Sequence, residues 1–240
     1  MRESRQIAEF NLDAVVTSFG GVATTTFIDF LRQKIVTNCP GNSDLYKHTA
    51  QPPVSNNPYF RAIYIFGDPT LATISLFNRN FHQHHSQIMQ ANFGQTSFIH
   101  EAQTLDAYLQ QGDDRFNFRR HFDLWRNSDC WYPRLILRYE VLWDRLDEIA
   151  NFLSIPASTF ADFPPQQARG SAIDDLPAKT QTALYNLYGS DQAYLASQPD
   201  FQILPGKRLR YFTDLRFFPQ SHSHLRSIPK SLFRNLKNRR

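Results

Sequence analysis

Between an apolar run and a helical pattern, the chain reads Ser18-Phe19-Gly20-Gly21-Val22-Ala23-Thr24-Thr25-Thr26. Paired glycines let a backbone turn tightly and approach a ligand closely. The N–H groups that follow, from Val22 to Thr25, open a helix and have no helical acceptor, so they can point at an anion. Thr24, Thr25 and Thr26 add hydroxyl donors. The chemistry this set offers is phosphate binding. It is not a Walker A loop, because the GxxxxGK[ST] spacing and its lysine are absent. The same pattern also serves as a plain strand–turn–helix connection, and the residues alone leave both readings open. A second dense cluster, His82-Gln83-His84-His85, invites a metal. Its spacing does not put three ligands on one helical face, and no carboxylate or cysteine lies close, so no metal is expected. A polar helix end beside a binding site fits it better. Cys39 and Cys130 stand far apart and form no CxxC pair, which suits free thiols.

Hydrophobic periodicity supplies the elements that would position these groups. Residues 13–19 form a short buried strand, and 23–35 a helix carrying Phe27, Phe30 and Leu31 on one side. Residues 49–58 are a Pro/Asn-rich loop. Residues 61–66 form a second buried strand, stopped by Gly67-Asp68-Pro69, where Asp68 suits a helix N-cap and Pro69 the first helical position. A helix is predicted from Thr70 to about His82. Residues 101–128 are helical in pieces around Gly112, 133–139 form a third strand, and 143–153 and 176–195 are helices. Beyond Pro199 the pattern loosens. Alternating strands and helices predict βαβ units in a parallel sheet. Ligands of such sheets bind beyond the carboxyl ends of the strands, which brings the loops at 18–26 and 67–68 to the working edge.

The 240 residues suffice for one α/β domain, here 1–205, followed by a basic extension, 206–240, expected to pack partly on the domain. From Pro205 onward there are ten Lys/Arg and one acidic residue, whereas the preceding residues carry 16 basic and 21 acidic groups. Such an extension suits either an anionic partner or a solvated end. No RNA-binding motif accompanies it and the body is net acidic, so nucleic acid is not an expected partner. No apolar run is long enough to cross a bilayer, and the first 16 residues lack the apolar stretch of a secretory signal. Cytoplasmic residence without a membrane span is the expectation.

Several segments, in order, resemble the PAPS-dependent sulfotransferases. The first loop occupies the place of that family's T-[YF]-P-K-S-G-T-T-W motif. Ile63-Tyr64-Ile65-Phe66 leading into Gly67-Asp68-Pro69, with Ser75 eight residues after Gly67, resembles its strand followed by R-[DN]-P and a serine. Leu135 to Pro156, LILRYEVLWDRLDEIANFLSIP, resembles its strand, Y-E-D-L and amphipathic helix ending F-L-G-I-P, and is the most specific match. Asp114-Arg115-Phe116 with His121-Phe122-Asp123-Leu124-Trp125, and Arg169-Gly170-Ser171 with Pro199-Asp200-Phe201, resemble further family segments. Together they span most of residues 12–205.

The resemblance implies a three-layer α/β sandwich with a central parallel sheet flanked by helices, related to P-loop nucleotide kinases. It implies transfer of a sulfuryl group from 3′-phosphoadenosine 5′-phosphosulfate (PAPS), a co-substrate used without a metal, to a hydroxyl-bearing acceptor, a glycan among the candidates. It makes Phe19, Gly20, Gly21, Val22, Ala23, Thr24, Thr25, Thr26, Ser75 and Arg169 the co-substrate-binding residues. It makes His48 the general base and Lys47 the cation that steadies charge on the transferring group, with Glu101 a rival base. Tyr139-Glu140 and the three tryptophans read as packing residues. The chain also departs from the pattern. Gly21 stands where the family has its catalytic lysine, Gly67 where it has the arginine that clamps the 3′-phosphate, and Val22 and Ala23 where it has serine and glycine. Arg79, one helical turn beyond Ser75, can replace the missing arginine. Lys47, Arg119, Arg120, Arg169 and the Lys207-Arg208-x-Arg210 cluster are other substitutes. A non-catalytic sulfotransferase-like module that binds an anionic ligand or partner is the alternative these departures raise.

Overall fold

Three runs of apolar residues set the frame. The computed structural model describes residues 12–55, 57–94, 102–167 and 172–206. Strands β1 (Ala14–Ser18), β2 (Arg61–Phe66) and β3 (Arg134–Arg138) are buried along nearly their whole length, as strands covered on both faces must be. They pair in parallel, with Val16 opposite Ile63 and Ile63 opposite Leu135. Successive side chains alternate between faces. Tyr64 and Phe66 therefore share a face, where they meet Trp125 and Phe122. The architecture is α/β, a mostly parallel four-stranded sheet in the order β1-β2-β3-β4 with helices against it, and it fits a three-layer sandwich. One continuous apolar cluster runs through the described residues.

The fourth strand adds to the sequence reading, in which the pattern loosens beyond Pro199. Strand β4 (Phe201–Leu204) lies antiparallel to β3, Leu135 opposite Ile203. Arg138 fastens it. Its guanidinium pairs with Asp200, bonds the carbonyls of Leu195 (2.7 Å) and Gln198 (3.0 Å), and lies over the Phe66 ring.

The helices are α1 (Thr24–Leu31), α2 (Pro69–Asn78), α3 (His82–Asn92), α4 (Leu105–Gln111), α5 (Phe118–Asn127), α6 (Leu146–Leu153) and α7 (Ala178–Ala196). Asp68 caps α2 by accepting from the N–H groups of Thr70 (2.7 Å) and Leu71 (3.0 Å), with Pro69 at the first helical position. The helix predicted from Thr70 to about His82 ends at Asn78, and a second helix, α3, begins at His82. Asn80 takes a left-handed φ of 55°, which a polar Asn tolerates. Phe81 N–H then closes on Leu76 O (2.9 Å), and α3 starts in a new direction. The helix predicted over 143–153 begins with 3-10 turns and becomes α-helical only at Leu146.

The outer edge of β1 is covered by residues 36–48 rather than by a strand. Thr37 makes a single parallel bridge to Ala14. The Asn38 side chain then does what a neighbouring strand would do. Its Oδ1 accepts from Val16 N–H (2.8 Å) and its Nδ2–H donates to Val16 O (3.0 Å). Further along, Thr17 Oγ1 donates to Tyr46 O (2.6 Å) and Ser18 N–H to Lys47 O (3.0 Å). This edging carries Lys47 and His48 to the carboxyl end of β1.

Candidate functional site

A cleft of about 590 Å³ opens at the carboxyl ends of β1, β2 and β3, a size that suits a small ligand. Loop residues 20–26 form its floor, and Lys47, His48, Ser75 and Arg79 all line it. Segments 18–26, 47–48 and 75–79, far apart in the chain, thus meet at one site. Phe19 is the exception. Its ring is fully buried against Phe118 (4.7 Å between centroids), and it does not line the cleft. Arg169, Glu101 and the Lys207 cluster lie outside the described residues. Arg119 and Arg120 are elsewhere. Arg119 lies over Tyr194, 3.7 Å from Asp191, and Arg120 lies over Phe93. Both border a separate cavity of about 620 Å³ that shares no residue with the cleft and carries four aspartates.

The loop has an unusual backbone. Gly20 and Gly21 have φ of 94° and 71°, and Ala23 has φ 49°. Because Val22 keeps a negative φ, the sign alternates along Gly21-Val22-Ala23. Such alternation turns successive N–H groups toward one point and makes an anion-binding concavity. An alanine in this region costs roughly 1–2 kcal/mol. Ala23 is also the N-cap of α1 and offers no side-chain cap. The first helical bond runs from Phe27 N–H to Ala23 O (3.3 Å), so the N–H groups before it are available at the positive end of the helix dipole. Ser18 braces the loop from within, accepting from Thr24 Oγ1 (2.6 Å) and Gly20 N–H (3.2 Å).

The glycines serve a different closeness from the one expected. A Cβ on Gly20 would sit 2.4 Å from His85 Nε2, and one on Gly21 would sit 2.8 Å from the Ala72 backbone. Both glycines admit protein rather than ligand. The lysine of the sulfotransferase motif therefore has no room at Gly21 on this backbone. At Gly67 a Cβ would meet Val22 Cγ1 at 3.1 Å and the Glu140 carboxylate at 3.2 Å.

Lys47 brings a cation to the same floor from another direction. Its ammonium donates to Thr25 Oγ1 (2.6 Å) and Pro40 O (2.7 Å). Burial, with Arg79 nearby, lowers its pKa below that of an ordinary lysine, while Asp29 opposes the change. Arg79 closes α2 with its Nε–H on Ser75 O (3.1 Å). Among the described residues, the cleft lining holds these two cations and three histidines, and no aspartate or glutamate. A positive lining favours an anion.

His48 is half-buried, and its Nδ1 lies 2.9 Å from Ser18 O. A carbonyl can only accept, so neutral His48 carries its proton on Nδ1 and keeps the Nε2 lone pair. Burial and the neighbouring His85 hold its pKa well below 6.5. The ring is therefore an unprotonated acceptor at neutral pH, the form a general base requires. The strand-like bond of Lys47 O to β1 fixes its backbone. So do Asn92 Nδ2–H on His48 O and the Thr49 carbonyl, which accepts from His121 Nε2–H and Trp125 Nε1–H (both 2.8 Å).

His84 and His85 reach the cleft from α3, a separate helix, where the sequence reading expected the polar end of one helix beside a binding site. The facing wall escaped the sequence reading. Tyr139, Trp143, Pro164 and Pro165 form an opposite, largely apolar wall, with Trp143 edge-on to Tyr139 (5.4 Å) and its Nε1–H on Pro164 O (2.8 Å). The tyrosine and tryptophan had been read as packing residues, and nothing in their spacing separates the two roles. Among the described residues no three His, Cys, Asp or Glu side chains gather as a metal would need, and no helix is long and apolar enough to cross a membrane. No family model matches the chain, and neither curated proteins nor solved structures give a match.

Proposed function

We propose that the chain is a sulfotransferase-like enzyme that moves a sulfuryl group from PAPS to an acceptor hydroxyl, a glycan among the candidates, on a fold related to P-loop nucleotide kinases. The observation that carries the reading is the Lys47 ammonium, 2.6 Å from Thr25 Oγ1, at the mouth of an N–H concavity that also faces His48. A tetrahedral anion in that concavity meets backbone donors, a helix N-terminus and a cation at once. Lys47, arriving from the β1 edge, takes over the work of the lysine that Gly21 excludes. Arg79 and Ser75, at the far end of α2, suit the 3′-phosphate. The wall of Tyr139, Trp143 and Pro164 suits a planar base.

The chemistry then needs only positioned groups. The acceptor oxygen attacks sulfur while its proton passes to His48 Nε2. The bond from sulfur to the 5′-phosphate oxygen breaks, and the negative charge it leaves behind develops beside Lys47 and the loop N–H groups. Isothermal titration with adenosine 3′,5′-bisphosphate, together with radiolabelled PAPS turnover against a panel of hydroxyl acceptors, tests the proposal. Absence of both binding and turnover rejects it.

A second reading has its own observation. The close approach of Gly21 to the Ala72 backbone means that the loop is built without the family lysine, which favours a module that binds an anion and does no chemistry. Binding of the bisphosphate with no transfer to any acceptor selects this reading. Loss of a measured activity in His48→Ala selects the enzyme.

A further inference from the structure

His85 lies outside the segments that resemble the sulfotransferases, yet it packs directly against the loop. It is 4% exposed, and its Nε2–H donates to Phe19 O at 2.6 Å. Its ring fills the space a Gly20 Cβ would need and stands edge-on to His48, 4.7 Å between centroids. The two histidines thus hold consecutive carbonyls, His48 that of Ser18 and His85 that of Phe19. An anion-binding loop has to turn its carbonyls away from the ligand as well as its N–H groups toward it. Glycine tolerates either sign of φ, and apart from His85 the peptide before Gly20 is held by the bond of Gly20 N–H to Ser18 Oγ (3.2 Å).

We infer that His85 is a positioning residue which locks the Phe19–Gly20 peptide so that its carbonyl points away from the anion. This rests on the anion-binding reading of the cleft. The lock works at all physiological pH values. Burial first, and then the cations of the cleft, hold the His85 pKa near 4, so the ring stays neutral with its proton on Nε2. Gly20 and His85 are then a matched pair, each leaving room or support for the other.

The test compares His85→Ala with His85→Gln, whose side-chain amide can still donate to Phe19 O. Two readouts are taken: the 15N–1H resonances of Gly20 and Gly21 without ligand, and the Kd for adenosine 3′,5′-bisphosphate. His85→Ala is expected to shift both glycine resonances and to weaken binding about tenfold, the equivalent of about 1.4 kcal/mol. His85→Gln is expected to restore the resonances and to bind within about threefold of the parent, a margin of about 0.65 kcal/mol. Unmoved glycine resonances in His85→Ala overturn the inference, and so does a shift that His85→Gln leaves uncorrected. If the parent protein binds no bisphosphate, the nucleotide reading falls, and the ligand-free resonances still decide the role of His85.

Discussion

Replacing Lys47 with methionine keeps the length and apolar stem of the side chain and removes its charge. In the present geometry the ammonium contributes two hydrogen bonds, to Thr25 Oγ1 and Pro40 O, and the nearest cation to the loop concavity. A charge-assisted contact to a bound anion is worth about 1.5–3 kcal/mol, which corresponds to roughly 10- to 150-fold in Kd. Titration calorimetry with adenosine 3′,5′-bisphosphate at fixed ionic strength should therefore find binding weakened by at least an order of magnitude. The salt dependence should become shallower, since one fewer charge is neutralised. Two controls separate lost charge from a damaged loop. The melting temperature reports the bonds to Thr25 and Pro40, and the Gly20 and Gly21 amide resonances report the loop itself. Parent-like affinity in a folded Lys47→Met protein would refute the assignment of Lys47 to the anion. A depressed lysine pKa adds a second signature. Affinity in the parent protein should begin to fall at a lower pH than an ordinary lysine, titrating near 10.4, would allow.

Three further outcomes follow from the same structure. Gly21→Lys should not restore the family motif. A left-handed φ and a 2.8 Å encounter with Ala72 should destabilise by about 2 kcal/mol or more, lowering Tm by roughly 4–8 °C in scanning calorimetry, and unchanged stability with gained activity would contradict the geometry. The activity of the parent protein should hold its plateau below pH 6.5, because His48 stays unprotonated there, and a kcat/KM limb at the ordinary histidine value would remove His48 as the base. Acid should unfold the protein early. His48, His85 (about 4) and His121 (about 3) bind protons in the unfolded chain from pH 6.5 downward but not in the fold, so their stability is present above 6.5 and lost as pH falls. Asp114, held up near 6 by burial, takes its proton in the fold first and offsets one of the three. For His85, His121 and Asp114 the net uptake of about one proton costs about 1.4 kcal/mol per pH unit between pH 6 and 4, and the lowered pKa of His48 adds to the loss. Urea titrations should show that slope, and a flat profile would show that these histidines are not buried as described.

The parts of this fold that local chemistry dictates were readable in the chain. Three nearly fully buried strands appear as short apolar runs, and Asp68-Pro69 announces a capped helix before any contact is known. Strand β4 was not readable, because four residues with mixed exposure carry no period, and their pairing depends on Arg138 and Asp200 meeting across 62 positions. The break between α2 and α3 turns on one left-handed asparagine. Gly20 and Gly21 were legible as backbone specialists, but what approaches them was not, since His85 and Ala72 arrive from other helices. Lys47 and His48 were identified only through the resemblance. Their physical basis is Asn38, whose side chain stands in for a strand and leads residues 46–48 along β1. A single amide replacing a whole strand leaves no trace in hydrophobic patterning.

The reversal of β4 gives the molecule two poles. Strands β1 to β3 run toward the cleft, whereas β4 runs away from it and ends with Leu204 opposite Arg134 and Gly206 against the backbone of Trp131 and Tyr132. At about 3.3 Å per residue, the five residues of β3 separate these ends by roughly 15 Å. Gly206, the last described residue, thus lies at the face opposite the mouth. Removing residues 207–240 should leave bisphosphate affinity unchanged, while any attachment made through the extension is lost. Anchorage through the extension and turnover in the cleft would then be separable properties of one chain, because the antiparallel edge strand brings Gly206 to the pole away from the cleft.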